Sequence, residues 1–143
     1  MVERVAEAEW RGSLKDGEGV MKLGSGAFEG SYSFGTRFGN DPGTNPEELL
    51  GAAHAGCFSM AFALMLGQAG FPPRRIHTTA KVDIEQKGGG FQITRIQLNT
   101  EASVPGIGQD KFREMAEAAK RDCPVSRALA GTSISLTAQL FGS

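Results

Sequence analysis

Cysteine and histidine are scarce in this chain: Cys57, Cys123, His54 and His77 are the full set. Two widely spaced cysteines and two histidines fit no recognised metal-ligand spacing. Nor is a disulfide framework needed, because a chain of 143 residues buries about two-thirds of the surface that its unfolded form exposes. An excess of charge is also lacking. Fifteen Lys and Arg against sixteen Asp and Glu leave a net charge of −1, so there is no basic stripe for nucleic acid and no polybasic patch for a membrane surface. The longest apolar run, Met60 to Leu66, is too short to span a bilayer, and Met1-Val2-Glu3-Arg4-Val5 lacks the apolar core of a signal peptide. No repeat, low-complexity tract or linker interrupts the sequence, so the expectation is one domain over residues 1–143, soluble and cytoplasmic, with neither nucleic acid nor membrane as partner. The cytosol keeps thiols reduced, which makes the two cysteines free thiols or a redox pair rather than a structural bridge. What the chain has in quantity is glycine, 20 residues beside an ordinary 40% of apolar residues, the mark of many turns and close approaches rather than disorder.

Short antiparallel strands are expected first. Ala6, Ala8 and Trp10 alternate with Glu7, Glu9 and Arg11, the period of a strand with one dry face. Val20–Leu23 and Ala27–Tyr32 follow around the hairpin loop Gly24-Ser25-Gly26, and residues 35–43 read as a loop carrying Arg37. Ile76 to Ile84 alternates cleanly, and residues 91–104 form a long strand whose apolar phase shifts between Ile93 and Ile96, which predicts a bulge. An amphipathic helix spans about 110–121 and stops before Cys123-Pro124. Pro124 opens a short helix through Leu129 with Cys123 at its N-cap. A last strand holds Ile134, Leu136, Ala138 and Leu140. Strands, helix, strands, helices and strand make an α+β domain with helices segregated from an antiparallel sheet.

The chain is organised around residues 44–60. Asn45 can cap a helix, Pro46 suits its first position and Glu48 sits where a capping-box acid belongs. Phe58 to Leu66 is apolar on every side apart from Ser59, so this helix is expected to be central and covered all round. A straight helix would hold Glu47 about 15 Å from Cys57. If the two share a site, the helix must break within the small residues 51–56, and the break would give Cys57 a helix N-terminus of its own, where amides lower a thiol pKa toward ~7 or below. Several readings stand side by side here. Cys57 is plain core, as buried cysteines often are, or a reactive thiol; His54, one turn away, is its base in a Cys–His acyl-transfer enzyme, or a packed or capping histidine. A non-catalytic redox sensor whose thiols only switch packing is the third.

Four motifs, Thr36-Arg37-Phe38, Gly43-Thr44-Asn45-Pro46-Glu47-Glu48-Leu49, Ala52-Ala53-His54-Ala55-Gly56-Cys57-Phe58-Ser59-Met60 and Cys123-Pro124-Val125-Ser126, strongly resemble the OsmC/Ohr family of thiol peroxidases, and its OsmC branch in particular. The likeness runs in order over essentially the whole chain. It implies an OsmC-like fold, an antiparallel sheet wrapped around a buried central helix in an intertwined homodimer. It also implies reduction of organic hydroperoxides, and less well of hydrogen peroxide, in defence against oxidative or osmotic stress. By this resemblance Cys57 is the peroxidatic cysteine, Cys123 the resolving one, and Arg37 and Glu47 line the peroxide site, the glutamate fixing the guanidinium by a charge-assisted contact. Cys57 sulfenic acid condenses with Cys123 to a disulfide, which shields it from over-oxidation. No cofactor is bound; an external dithiol, by resemblance a lipoyl group, free or on a lipoylated protein, resets the site. Phe38, Phe58 and Met60 are equally apolar neighbours for an organic peroxide or plain core.

Overall fold

The computed structural model describes residues 1–142, which gather into two compact units, Met1–Leu49 and Leu50 onward. The first unit holds strands β1 (Ala6–Arg11), β2 (Glu18–Leu23) and β3 (Glu29–Tyr32), antiparallel in that order. Gly19 pairs with Trp10 on one side and Tyr32 on the other, and the two rings meet across it at 5.4 Å. A Cβ on Gly19 would stand 2.6 Å from each ring, so only glycine lets them close. Residues 35–43, expected as loop throughout, begin instead with helix α1 (Phe34–Phe38). Its cause is a capping box: Ser33 Oγ accepts from the Thr36 amide at 3.2 Å and Thr36 Oγ1 accepts from the Ser33 amide at 2.9 Å, which satisfies donors that a single turn cannot pair internally. Among the described residues of this unit no large apolar side chain is buried; Gly19, Thr44 and Glu47 are the buried positions.

Helix α2 (Pro46–Gln68) begins in the first unit and runs on through the second. Asn45 Oδ1 accepts from the Glu48 amide at 2.7 Å, while the Glu48 carboxylate takes the Thr44 hydroxyl at 2.8 Å rather than closing a capping box. The break expected within residues 51–56 does not occur. Neither Gly51 nor Gly56 adopts a positive φ, and alanine, the strongest helix former, fills half of the segment. Gly51 faces the sheet, where a Cβ would stand in ordinary contact with Val82 at 3.4 Å and Ala80 at 3.7 Å. Cys57 therefore lies in mid-helix and has no helix N-terminus of its own.

The second unit carries β4 (Arg75–Lys87), β5 (Gly90–Ser103), α3 (Gln109–Asp122), α4 (Pro124–Ala128) and β6 (Ser133–Phe141). β4 and β5 are antiparallel. Asp83 faces Arg95 while Ile84 faces Ile93, which leaves Thr94 as the extra residue of the expected bulge. β6 lies parallel to β5, so the sheet is mixed rather than wholly antiparallel. The connection through α3 and α4 is long enough for the crossover that a parallel pair needs.

One side of α2, at four-residue spacing, supplies His54, Phe58, Phe62 and Leu66, all fully buried. Phe58, Phe62 and Leu66 join Ile96, Leu98 and Ala102 of β5 and Phe112, Ala116 and Ala119 of α3 in one core, with the Phe62 and Phe112 rings 5.4 Å apart. Ser59 Oγ donates to Thr78 Oγ1 at 2.8 Å, and Thr78 meets Thr100 at 2.9 Å, a polar rung that fixes the helix on the sheet. By length and composition α2 is also apolar enough to cross a membrane, unlike the shorter run on which the expectation rested. Cover within one chain is one-sided: Met60 and Leu64, on the opposite face, are 77% and 60% exposed. Phe62→Ala should cost about 3–5 kcal/mol, read as a lowered urea midpoint.

Candidate active site

Cys57 projects from the middle of α2, half-buried, while Cys123 is fully buried where α3 ends and α4 begins. Their side chains lie close enough for each thiol to shift the other's pKa. The residue before a proline is held out of helical geometry, which makes Cys123 both the C-cap of α3 and the N-cap of α4. Its Sγ accepts from the Ser126 amide at 3.4 Å.

The two thiols differ electrostatically. Burial pushes the Cys57 thiol up; the Val125 amide pulls it down, but Cys123 adds to the upward push and the net effect is a raised pKa. Burial likewise pushes Cys123 up, but hydrogen bonds from the Ser126 hydroxyl and amide, from Cys57 and from the Val125 amide outweigh it and leave that thiol below its ordinary range. The expectation that Cys57 gains its activation from the start of its own helix is thus corrected. The amide that reaches it belongs to α4.

His54 does not serve Cys57 as a base. Its Nε2 lies 2.7 Å from Ser126 Oγ, and both residues are buried. Among the described residues Nδ1 has no hydrogen-bond partner. Burial holds the imidazole below its ordinary pKa of 6.5, so it is neutral near pH 7. Sequence reasoning did not single out Ser126. The signal was its place three residues after a helix-capping cysteine, where N-cap and N3 groups meet.

In the first unit Arg37, near the end of α1, meets Glu47, in the first turn of α2. Nε donates to Oε1 at 3.0 Å and Nη2 to Oε2 at 2.8 Å, a bidentate pair. Glu47 is nearly buried whereas a third of the Arg37 side chain is exposed. Asn45 Nδ2 donates to the Thr36 carbonyl at 3.1 Å, fastening α1 to the start of α2. A cavity of about 420 Å³ opens beside the guanidinium, lined by Trp10, Leu14, Tyr32, Phe34, Arg37 and Phe38 among others. Of the three apolar neighbours expected near a substrate, Phe38 lines this cavity, Phe58 is core and Met60 is exposed. Trp10, Leu14 and Phe34 join the cavity without any local sequence signal.

The four expected site residues therefore come together as two pairs, Cys57 with Cys123 and Arg37 with Glu47. Ten residues of unbroken α2 separate Glu47 from Cys57 by about 15 Å of helical rise. Among the described residues no group of three or more His, Cys, Asp or Glu side chains is placed to hold a metal ion.

Residues 39–138 match the OsmC family, described as OsmC-like protein. The chain is 48% identical over 129 residues to Peroxiredoxin OsmC of Escherichia coli strain K12, with 90% of each chain covered. It is 32% identical over 90 residues to the Organic hydroperoxide resistance protein of Xanthomonas axonopodis pv. citri, covering 62% of this chain and 61% of that one. An organic hydroperoxide resistance protein from Elizabethkingia anophelis superposes with a TM-score of 0.70 at 28% identity, over 99% of both chains.

Because His54 is neutral when folded and titrates nearer its ordinary value when unfolded, the unfolded state binds more protons as pH falls below 6.5. Its share of stability is complete above that value and is lost on acidification toward the lower folded pKa. Urea midpoints of the wild type should fall between about pH 7 and about pH 5, and the His54 part of that fall should vanish in His54→Gln.

Proposed function

This chain belongs to the OsmC family, and from that premise we propose that it is a cysteine-based peroxidase that reduces organic hydroperoxides to alcohols, with hydrogen peroxide the poorer substrate. The adjacency of the Cys57 and Cys123 side chains carries the reading, because a sulfenic acid formed on one thiol is resolved by a neighbouring one. Cys57 is the more accessible of the two and takes the peroxidatic role. Its thiolate attacks the terminal peroxide oxygen; the S–O bond forms as the O–O bond breaks, and the alkoxide leaves and takes a proton as alcohol. Cys123 Sγ then attacks the Cys57 sulfur, water leaves, and a disulfide forms. A dithiol, a lipoyl group in the first instance, restores both thiols.

Cys57 needs a cation, since its surroundings within one chain push the thiol up. Arg37, oriented by both oxygens of Glu47, supplies it, with the Nη1 group left over from the carboxylate contact facing the peroxide. In this reading the cation comes from a second copy. Two features support an intertwined homodimer: the exposed Met60 and Leu64 strip on α2, and a first unit with no large buried apolar side chain of its own among its described residues, which cannot stand alone. In this assembly each Cys57 is served by Arg37 of the partner subunit. The cavity walled by Trp10, Leu14, Tyr32, Phe34 and Phe38 takes the organic part of the substrate, which hydrogen peroxide lacks. Cytoplasmic residence fits a pair of thiols that must be reduced between turnovers.

Cys57→Ser should abolish reduction of cumene hydroperoxide, whereas Cys123→Ser should complete one turnover and accumulate a dimedone-reactive sulfenic acid. Arg37→Ala should lower kcat/KM by about 100-fold or more. Undiminished steady-state activity in Cys57→Ser sinks the proposal. Met60→Glu combined with Leu64→Glu should shift the protein from dimer to monomer in sedimentation and remove activity with it; an unaltered dimer would overturn the assembly.

A further inference from the structure

His54 and Ser126 are not needed for the peroxide step as described, yet they form a buried pair leading to Cys123. Nε2 of His54 stands 2.7 Å from Ser126 Oγ, and Ser126 in turn donates its amide to the Cys123 sulfur at 3.4 Å, with its hydroxyl beside that sulfur and favouring the charged form. Direction follows from what each atom can do. A buried N–H without an acceptor is rarer and costlier than a lone pair without a donor. Nδ1, which has no partner among the described residues, is therefore the bare nitrogen and the proton sits on Nε2. Nε2–H then donates to Ser126 Oγ, and the serine hydrogen is free to donate to Cys123 Sγ. The histidine thus leaves the serine hydrogen to the sulfur, beside the amide that already donates to it. The array suits a sulfur carrying negative charge, and hydrogen bonds to an anion are about twice as strong as neutral ones.

We propose that His54 and Ser126 are positioning residues that stabilise Cys123 as the leaving thiolate, so that a dithiol resets the enzyme by attacking Cys57 Sγ. This inference rests on the peroxidase reading for its place in the cycle. In the first step a reductant thiolate bonds to Cys57 Sγ, the Cys57–Cys123 bond breaks, and its electron pair goes to Cys123 Sγ. In the second step the other thiolate of the dithiol attacks the reductant's own sulfur in the mixed disulfide, releasing Cys57 thiolate and the oxidised cyclic dithiol; Cys123 then takes a proton. Accessibility agrees, since Cys57 is half-buried and Cys123 fully buried. A better leaving thiol departs faster, and the lowered Cys123 thiol has that property. The titratable neighbours of Cys123 are Cys57 directly and His54 through Ser126, both on α2; from α3, Asp122 is held at the surface by a bidentate bond from Arg121.

Two measurements test the assignment. In a Cys57→Ser background the remaining thiol is titrated by its ultraviolet thiolate absorbance. Adding His54→Leu or Ser126→Ala should move the midpoint up by about one pH unit, and His54→Gln, whose amide nitrogen can replace Nε2–H, should restore it. Separately, wild-type disulfide formed with diamide is treated with a monothiol and the mixed disulfide is mapped by mass spectrometry. It should sit on Cys57 with Cys123 free, and reduction of the diamide-formed disulfide of His54→Leu by dithiothreitol should be about threefold slower. A midpoint unmoved in both His54→Leu and Ser126→Ala, a midpoint that His54→Gln fails to restore, or a mixed disulfide on Cys123, overturns the proposal. Because diamide makes the disulfide without peroxide, failure of the peroxidase reading shows separately, as a chain that cumene hydroperoxide leaves reduced.

Discussion

The rotational setting of α2 governs everything around the thiols. His54, Phe58, Phe62 and Leu66 lie one above another at four-residue spacing and are fully buried, so the helix cannot turn about its axis without exposing two phenylalanines. At about 1.5–3 kcal/mol for each large apolar side chain buried, that setting is firmly held. Ser59 locks it from one flank by bonding to Thr78. Cys57 sits on the other flank of Phe58, half-buried, which lets one sulfur meet both solvent and the buried Cys123. The reactive thiol is thus placed by the packing of its neighbours, and no strained backbone is needed; among the described residues non-glycine positive φ is absent.

The same chain gives its two cysteines opposite environments. Cys57 is pushed up by burial and by the sulfur beside it, whereas Cys123 collects hydrogen bonds from the Ser126 hydroxyl and from amides at the start of α4. A proline accounts for much of this. By ending α3 and opening α4 at one residue, Pro124 turns Cys123 into a cap whose sulfur faces unpaired amides. Cys57 has no such arrangement, and the proposed cycle therefore assigns its activation to a guanidinium whose own geometry is set by both oxygens of a nearly buried carboxylate. Fixing Arg37 in this way limits how far its charge can be screened by motion into solvent.

Several elements were legible because their determinants are local. The alternation in β4, the phase shift that became the Thr94 bulge, the amphipathic α3 and the Pro124 helix are written in residues adjacent to one another. The Ser33–Thr36 capping box is equally local, but the glycines and proline that follow mask it. Residues 51–56 mislead for a related reason. Glycine there permits a break but does not impose one, and the side chains that hold α2 on the sheet and on α3 are distant in sequence.

By itself the sequence determined the family, the α+β class and the identity of the two thiols, because long motifs and near-neighbour periodicity survive without knowledge of distant contacts. It also placed Arg37 and Glu47 as candidates. Only the tertiary structure decided that α2 is unbroken, that β6 runs parallel to β5, and that His54 turns to Ser126 rather than to Cys57. Each of these depends on groups far apart in sequence, whose meeting is set by the packing of α2 on the sheet and on α3, and no local rule reports that packing.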